Sequence, residues 1–147
     1  MKKIVLIDDS DTYTWCLQKY LHHWGYLVKM ACTLKEARTA IQKEMPLVIC
    51  CDLDLPDGSS MNFQDEVRTA DKELPFILAS CHDKEDYEQE TKRRGATLCM
   101  DKVKGMLLQD KLVEYAYRQL SGEKTPTFHK LLFVHAEDTS AGVLRAA

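Results

Sequence analysis

The sequence lacks any long apolar segment, and no stretch approaches the roughly twenty residues that a membrane-spanning helix needs. Its start has only four apolar residues between Lys3 and Asp8, which is too short for the core of a signal peptide. It also lacks runs of lysine and arginine interleaved with aromatic residues, and its formal net charge is −3. We therefore expect a cytoplasmic protein without a membrane contact or a direct nucleic-acid partner.

Cysteine is present, but the spacing typical of zinc and redox sites is missing. None of the six cysteines forms a Cys-x-x-Cys pair, and several lie inside apolar runs. Free, buried thiols in a reducing compartment are therefore expected. His22 and His23 are adjacent rather than one helical turn apart, which disfavours a metal cluster and predicts surface positions near a helix end.

Short apolar runs alternate with longer stretches of helical periodicity over a length of 147 residues, which suits one domain with a short appendage. Because the runs show little polar alternation, they predict parallel strands covered by helices on both faces. The expected fold is α/β, a flavodoxin-like doubly wound five-stranded parallel sheet of order 2-1-3-4-5 with about five helices. The predicted strands are Ile4 to Ile7, Tyr26 to Ala31, Leu47 to Cys51, Phe76 to Ala79 and Leu98 to Met100.

Four of the predicted helices have an apolar face. The first ends before Gly25, the second opens with the capping box Thr33-Leu34-Lys35-Glu36, and the others span about 61–70 and 104–120. The exception is the stretch 84–94, in which Tyr87 is the only large apolar residue. We expect a mostly solvated helix there, with a mobile switch element as the alternative.

Polar groups follow the predicted strands at their carboxyl ends. Asp8 and Asp9 follow the first strand, Asp52 the third, Ser80 the fourth and Lys102 the fifth. Since the first and third strands are neighbours in this sheet order, the three carboxylates should share one pocket and repel one another. A hard divalent cation with oxygen ligands relieves that repulsion, and Mg²⁺ is the expected ion.

These groups match the needs of phosphoryl transfer. A carboxylate can act as a nucleophile and form an acyl phosphate, while Lys102 and Ser80 can neutralise and hydrogen-bond the phosphoryl oxygens. Each group alone is a weak indicator, because Asp pairs and serines at strand ends are often helix caps and a lone lysine is usually solvated. Their coincidence at four strand ends favours a site.

The order and spacing of these motifs resemble bacterial response-regulator receiver domains over residues 1 to 121. The matching segments are Ile4-Val5-Leu6-Ile7-Asp8-Asp9-Ser10, Gly25-Tyr26-Leu27-Val28, Asp52-Leu53-Asp54-Leu55-Pro56-Asp57-Gly58, Pro75 to Ser80, and Gly95-Ala96 followed by Lys102. The resemblance implies a domain that catalyses its own phosphorylation and dephosphorylation, with Mg²⁺ as cofactor. The implied partners are a sensor histidine kinase or histidine phosphotransfer protein as donor, a downstream protein target or an output domain outside this chain, and a second copy in a homodimer.

The resemblance also assigns roles to residues. Asp52 is similar to the phosphoacceptor, because a proline follows it four positions later. Asp8 and Asp9 match the acidic metal-binding pair, with Asp9 as the direct ligand and Asp8 acting through water. The backbone carbonyl of Asp54 matches a further metal ligand. Ser80 and Lys102 match the switch hydroxyl and the phosphate-pairing lysine, respectively.

Four positions depart from the family pattern, and two others flank the site. Cys99 stands where many relatives carry a Tyr or Phe that swings inward, and Val103 replaces the proline that commonly follows the lysine. A cis peptide after Lys102 is therefore not expected, and the lysine is expected to be placed differently. Ser60 and Cys81 add bulk beside the pocket. Asp54 and His82 flank it at positions that, in the family, affect water access and the lifetime of the phosphoryl group.

The end of the chain is read as an addition to the receiver. Residues 122–129 read as a linker, and 130–147 form a tail in which Lys130 to Val134 echoes Lys3 to Ile7. The tail is either the start of a truncated second receiver-like domain or a chance likeness over a few residues.

Two function classes remain from the sequence. The first is a phosphorylation-driven switch, and the second is an interaction or dimerisation module that keeps the fold and no longer switches. The intact set of Asp8, Asp9, Asp52, Ser80 and Lys102 favours the first. A flavin- or nucleotide-binding protein is a poor third reading, because the loop after the first strand is acidic where phosphate binding needs glycines.

Overall fold

The structure, a computed structural model, describes residues 2–81, 84–102 and 108–122. Five strands form a parallel sheet, and two short strands form an antiparallel pair beside it. The sheet strands are β1 (Lys3–Ile7), β2 (Leu27–Ala31), β3 (Val48–Asp52), β6 (Phe76–Ser80) and β7 (Leu98–Asp101), and the pair is β4 (Asp54–Leu55) with β5 (Gly58–Ser59). The order in the parallel sheet is β2-β1-β3-β6-β7.

Helices connect the strands of the parallel sheet. They are α1 (Asp11–His23), α2 (Leu34–Lys43), α3 (Ser60–Ala70), α4 (Glu88–Arg93) and α5 (Leu108–Ser121), with one 3-10 turn at Lys84–Asp86. Counted along the chain, the five sheet strands follow the order 2-1-3-4-5, so the predicted flavodoxin-like fold is confirmed.

The sheet separates two apolar cores because successive strand residues point to opposite faces. Ile4 and Leu6 of β1 face the core that α1 and α5 cover, whereas Val5 and Ile7 face the core that α2, α3 and Tyr87 cover. Every residue of β3 and β6 is buried. The central strands therefore behave as the continuous apolar runs predicted.

The register of the sheet sets the carboxyl ends of its inner strands side by side. Asp52, the last residue of β3, pairs with Ala79, and Ser80, the last of β6, pairs with Asp101. The amide of Lys102 continues this ladder by donating to the Ser80 carbonyl at 2.9 Å. Side chains from separate loops therefore meet at one edge.

Two predictions about burial are wrong. The strand β2 lies at the edge of the sheet, so Leu27 and Met30 are exposed although the apolar run predicted cover on both faces. Cysteine burial is also mixed: all six thiols are free, and Cys50, Cys51 and Cys99 are buried, but Cys16, Cys32 and Cys81 are exposed. The exposed thiols lie on the outer side of α1 or just beyond the end of a strand, where the core does not reach.

Helix caps follow the sequence closely. The Thr33 hydroxyl accepts a hydrogen bond from the Glu36 amide at 3.1 Å, as expected for the first half of the capping box. The Glu36 carboxylate returns to the amide of Cys32 at 2.9 Å, one residue before the cap. His22 and His23 are exposed in the last turn of α1, as predicted.

No helix in the described ranges is long and apolar enough to cross a membrane. His82, Val103 and the chain beyond Gly122 lie outside the described residues. The expectations about those two positions, and the division into a receiver at 1–121, a linker and a tail, stay predictions.

Candidate functional site

Three carboxylates meet at the carboxyl edge of the sheet. One side-chain oxygen each from Asp8, Asp9 and Asp52 can be chosen so that all three lie within 4.8 Å of one another. Asp8 is buried, Asp52 is nearly so, and Asp9 is exposed. The trio therefore has one side open to solvent, which is the arrangement that a partly hydrated cation needs.

Asp8 is held by the turn that leads into α1. One of its carboxylate oxygens, Oδ1, accepts a hydrogen bond from the Ser10 amide at 2.9 Å. Its amide donates to the carbonyl of Ala31 at 2.9 Å, which extends the pairing of β1 with β2 by one residue. The second carboxylate oxygen, Oδ2, pairs with the ammonium of Lys102.

Asp52 shares the same lysine. Its Oδ2 lies 3.3 Å from the Lys102 Nζ, and its Oδ1 accepts from the amide of Asp54 at 3.4 Å. Burial raises the pKa of Asp52, the Lys102 ammonium opposes this, and the neighbouring Asp8 adds to it. The net shift is upward, so the folded protein holds the ionised Asp52 at a cost.

Lys102 supplies the positive charge that this edge needs. Its side chain is only 8% exposed and lies between Asp8 and Asp52. Burial works to lower the pKa of Lys102, but its contacts with the two carboxylates outweigh burial and raise it. The lysine therefore stays charged and stands where a cation is electrostatically favoured.

Ser80 ends the strand next to β3 and is fully buried. Tyr87, at the start of α4, is buried near it: burial raises the pKa of the phenol to about 12, Cys99 and Asp101 add to the rise, and the Ser80 hydroxyl opposes it. The Sγ of Cys99 lies 2.8 Å from the Thr91 hydroxyl, so Cys99 contacts α4.

The loop after β3 is fixed by two side chains. Asp57 reaches across to the start of α2, where its carboxylate accepts hydrogen bonds from the amides of Leu34 at 2.8 Å and Lys35 at 3.1 Å. Ser60 is buried, and its hydroxyl donates to the Leu53 carbonyl at 2.8 Å. The bulk expected at Ser60 is therefore used to tie α3 to the end of β3.

The structure brings most of the predicted site residues to one edge. Asp8, Asp9, Asp52 and Lys102 form a cluster, and Ser80 ends the adjacent strand. The side chain of Asp54 is exposed and is not among the three clustered carboxylates. The roles assigned to these residues, and the Asp54 carbonyl as a ligand, stay predictions.

Sequence reasoning missed Tyr13, Asp57 and the contact of Thr91 with Cys99. The Nζ of Lys102 lies 4.8 Å from the centroid of the Tyr13 ring. Tyr13 carries no strand-end signal, because it lies in the first turn of a helix rather than at the end of a strand. Asp57, which follows Pro56, is of a type that often caps helices, but no signal in the sequence indicated that it would cap α2.

Fold and site together define a class of protein. A five-stranded doubly wound sheet carries an acid trio and a buried lysine at its carboxyl edge. The profile of the family described as response regulator receiver domain matches residues 4–114. The chain therefore belongs to this family and contains a receiver domain of a two-component response regulator.

A curated relative supports the same family at lower coverage. The transcriptional regulatory protein ZraR of Klebsiella oxytoca is 23% identical over 93 residues, which make up 63% of this chain and 21% of that protein. The chain thus spans about a fifth of the length of this relative.

Solved structures show the same fold. A CheY-like receiver domain protein from Methanospirillum hungatei JF-1 has a TM-score of 0.74 at 21% identity, covering 84% of this chain and 99% of that one. The beryllofluoride-activated NtrC4 receiver domain dimer has a TM-score of 0.74 at 26% identity, covering 82% and 100%. The receiver domain of NtrX from Brucella abortus has a TM-score of 0.69 at 24% identity, covering 82% and 99%.

Proposed function

We propose that this chain is a phosphorylation-activated switch in which Asp52 accepts a phosphoryl group from a phosphohistidine donor in the presence of Mg²⁺. The observation that carries this proposal is the acid trio within 4.8 Å, with Lys102 paired to two of its members. Receiver domains generally use such an acidic cluster for Mg²⁺. The donor would be a sensor histidine kinase or a histidine phosphotransfer protein.

The residues at this edge fit a magnesium ion. Carboxylate oxygens are the ligands that Mg²⁺ prefers, and the pairing of the Lys102 ammonium with Asp8 and Asp52 supports a site that favours positive charge. Asp9 and Asp52 would bind the ion directly, Asp8 through water, and Asp54 through its backbone carbonyl. When bound, Mg²⁺ neutralises the acids and the phosphoryl oxygens.

Asp52 is the best acceptor among the clustered acids. It ends the central strand β3, next to β6 that carries Ser80, and its Oδ2 faces Lys102 at 3.3 Å. In the reaction a carboxylate oxygen of Asp52 forms a bond to phosphorus, and the bond from phosphorus to the donor's histidine nitrogen breaks. The product is an acyl phosphate, and hydrolysis of the acyl phosphate returns the carboxylate.

Lys102 and Ser80 would stabilise the transferred group. Lys102 is already charged and nearly buried beside Asp52, so it can pair with a phosphoryl oxygen with little reorganisation. Ser80 ends the strand adjacent to Asp52 and can donate its hydroxyl to a second oxygen. Movement of Ser80 toward the phosphoryl group would change the surroundings of Tyr87, which gives the switch a route to α4.

The proposal is tested by phosphorylation in solution. The full chain is incubated with acetyl phosphate and Mg²⁺, and intact-mass spectrometry records the addition of one phosphoryl group. Wild type is expected to gain a group that hydroxylamine removes, as an acyl phosphate requires. Chelation of Mg²⁺ is expected to abolish the gain.

The matched variants are Asp52→Asn and Asp54→Asn, which remove neighbouring carboxylates. Asp52→Asn should abolish phosphorylation, whereas Asp54→Asn should keep it, because the Asp54 side chain lies outside the acid cluster. Equal phosphorylation of wild type and Asp52→Asn would contradict the assignment. A complete lack of phosphorylation and of beryllofluoride binding would favour the alternative, an interaction module that no longer switches.

A further inference from the structure

Tyr13 packs against the lysine of the candidate site. It lies in the first turn of α1, and its ring centroid is 4.8 Å from the Nζ of Lys102. A lysine ammonium within about 6 Å of an aromatic centroid is attracted by the negative face of the ring, more strongly where water is excluded. The Lys102 side chain is only 8% exposed, so this contact is largely desolvated.

The helix that carries Tyr13 is well fixed at this point. The next residue, Thr14, is buried and donates its hydroxyl to the Ser10 carbonyl at 2.9 Å, and Leu17 is buried in the core. Burial raises the pKa of the Tyr13 phenol, and nearby Cys50 and Asp8 add to the rise. The ring itself is half-buried and packs against the core that α1 and α5 cover, so it is not a loose surface group.

We propose that Tyr13 is a positioning residue for Lys102, whose ring face keeps the ammonium inside the pocket while its carboxylate partners change. This inference rests on the proposed function. A bound cation would compete with Lys102 for the carboxylates of Asp8 and Asp52, and a phosphoryl group on Asp52 would change one of these carboxylates. An ammonium held only by Asp8 and Asp52 would be released when those carboxylates bind a metal. The aromatic contact is independent of either acid and holds the lysine in place for the phosphoryl oxygens.

Loss of the Tyr13 ring should affect the binding of a phosphoryl analogue and the binding of Mg²⁺ alone differently. Loss of the ring should weaken the binding of a phosphoryl analogue, because Lys102 must then be recruited from a wider range of positions. Loss of the ring should not weaken the binding of Mg²⁺ alone, because a less restrained Lys102 competes less for Asp8. A general loss of structure would weaken both.

The first measurement tests the contact itself in metal-free protein. The side-chain Hε resonance of Lys102, assigned by its loss in Lys102→Met, should be shifted upfield by the Tyr13 ring in carbon–proton NMR spectra. Tyr13→Phe keeps the ring face and should keep the shift, whereas Tyr13→Leu should move the resonance to the ordinary lysine position. An unchanged resonance in Tyr13→Leu would overturn the inference whatever the function of the protein.

The second measurement titrates beryllofluoride in Mg²⁺, and then Mg²⁺ alone, against wild type, Tyr13→Phe and Tyr13→Leu. Tyr13→Leu should bind beryllofluoride about tenfold more weakly, and Tyr13→Phe within about twofold of wild type. Equal weakening of Mg²⁺ binding in Tyr13→Leu, or unchanged beryllofluoride binding, would overturn the inference. Failure of wild type to bind beryllofluoride would overturn the proposed function, and the resonance of Lys102 would still decide the contact.

Discussion

Asp8 and Lys102 form an ion pair across 94 positions of the chain. Their chemical types and their places after strands could be predicted from the sequence, because the apolar runs mark where each strand ends. The contact between the two side chains could not be predicted, because it depends on the direction in which each side chain leaves its strand and on the register between strands. The same limit explains why the contact of Tyr13 with Lys102 was missed.

The stability of the metal-free protein should increase when Asp52 loses its charge. The fold raises the pKa of Asp52, so the folded protein binds this proton more tightly than the unfolded chain does. Protonated Asp52 therefore adds to the free energy of unfolding at low pH, and this contribution is lost as pH rises through the folded pKa. Asp52→Asn is therefore expected to melt at a higher temperature than wild type at neutral pH in a chelator. The difference in melting temperature between Asp52→Asn and wild type should narrow as pH falls toward the ordinary pKa range of an Asp carboxyl.

Saturating Mg²⁺ should reverse that order, because the ion stabilises wild type and Asp52→Asn has lost a proposed ligand. Asp54→Asn is the control and should respond to Mg²⁺ nearly as wild type does. Thermal scans with and without Mg²⁺ measure both effects. A lower melting temperature for Asp52→Asn in chelator would contradict the charge balance described for this edge.

Asp57, a surface residue, ties the loop after β3 to the start of α2. Its carboxylate accepts backbone hydrogen bonds at the start of α2, and these bonds, led by that from Leu34, lower its pKa. A lowered carboxyl pKa contributes stability above the pKa of the unfolded chain, and this stability is lost as pH falls through the folded value. Asp57 therefore links the loop after Asp52 to α2 at neutral pH.

Asp57→Asn is expected to lower the melting temperature at neutral pH, because the amide keeps one acceptor but loses the charge at a helix start. The difference from wild type should shrink below about pH 4, where the unfolded carboxyl protonates. Lys72→Gln, at an exposed site away from this cap, is the control and should show neither effect. A difference that is constant over pH would contradict the role of charge.

At the scale of elements, the fold was largely predictable and the small elements were not. The five sheet strands and α1 to α3 follow from apolar runs and helical periodicity within a residue or two. The pair β4 with β5 has only two residues in each strand, too few for a periodic signal. The helix α4 is shorter than the stretch 84–94 predicted, and a 3-10 turn precedes it.

The prediction that 84–94 has few apolar anchors agrees with the structure. Tyr87 and Thr91 are buried, while salt bridges such as that of Arg93 with Glu90 lie at the surface. A buried hydrogen bond adds a tether: Gln64 of α3 donates its Nε2 to the Thr91 carbonyl at 2.9 Å. The position of α4 therefore depends on a small number of buried contacts.

Removal of the Gln64 tether should loosen α4 without unfolding the domain. Gln64→Leu removes the hydrogen bond to Thr91, which destabilises the fold. It also removes the buried amide oxygen Oε1, for which the described residues offer no partner, and this offsets part of the loss. We expect the global stability to change by about 1 kcal/mol or less, while amide exchange accelerates in α4 and not in α1.

Gln42→Leu, on the exposed side of α2, is the matched control and should leave exchange in α4 unchanged. Hydrogen exchange followed by NMR resolves the two helices. Equal acceleration in α1 and α4 would show that the tether supports the whole domain and not α4 in particular.

At the scale of the whole molecule, the two apolar cores hold the sheet in place and its carboxyl edge carries the charged cluster. Apolar residues of both cores fix β3 between β1 and β6, and this places Asp52 between the acidic turn after β1 and Ser80. The charged cluster then lies at the rim, where the strands end and one acid reaches solvent. The phosphoryl transfer proposed for this chain requires positioning and charge stabilisation, and a rigid sheet with a polar edge can supply both.

In the proposed function, a divalent cation binds within the acid trio and displaces Lys102 from Asp8. Crystals soaked in Mn²⁺, which takes the same oxygen ligands as Mg²⁺ and scatters anomalously, test it directly. The proposed function predicts an anomalous peak bounded by Asp9 and Asp52, with the Lys102 ammonium moved off Asp8 and still beside Tyr13. A map without a peak at the trio, in which Lys102 remains paired with Asp8, would contradict it.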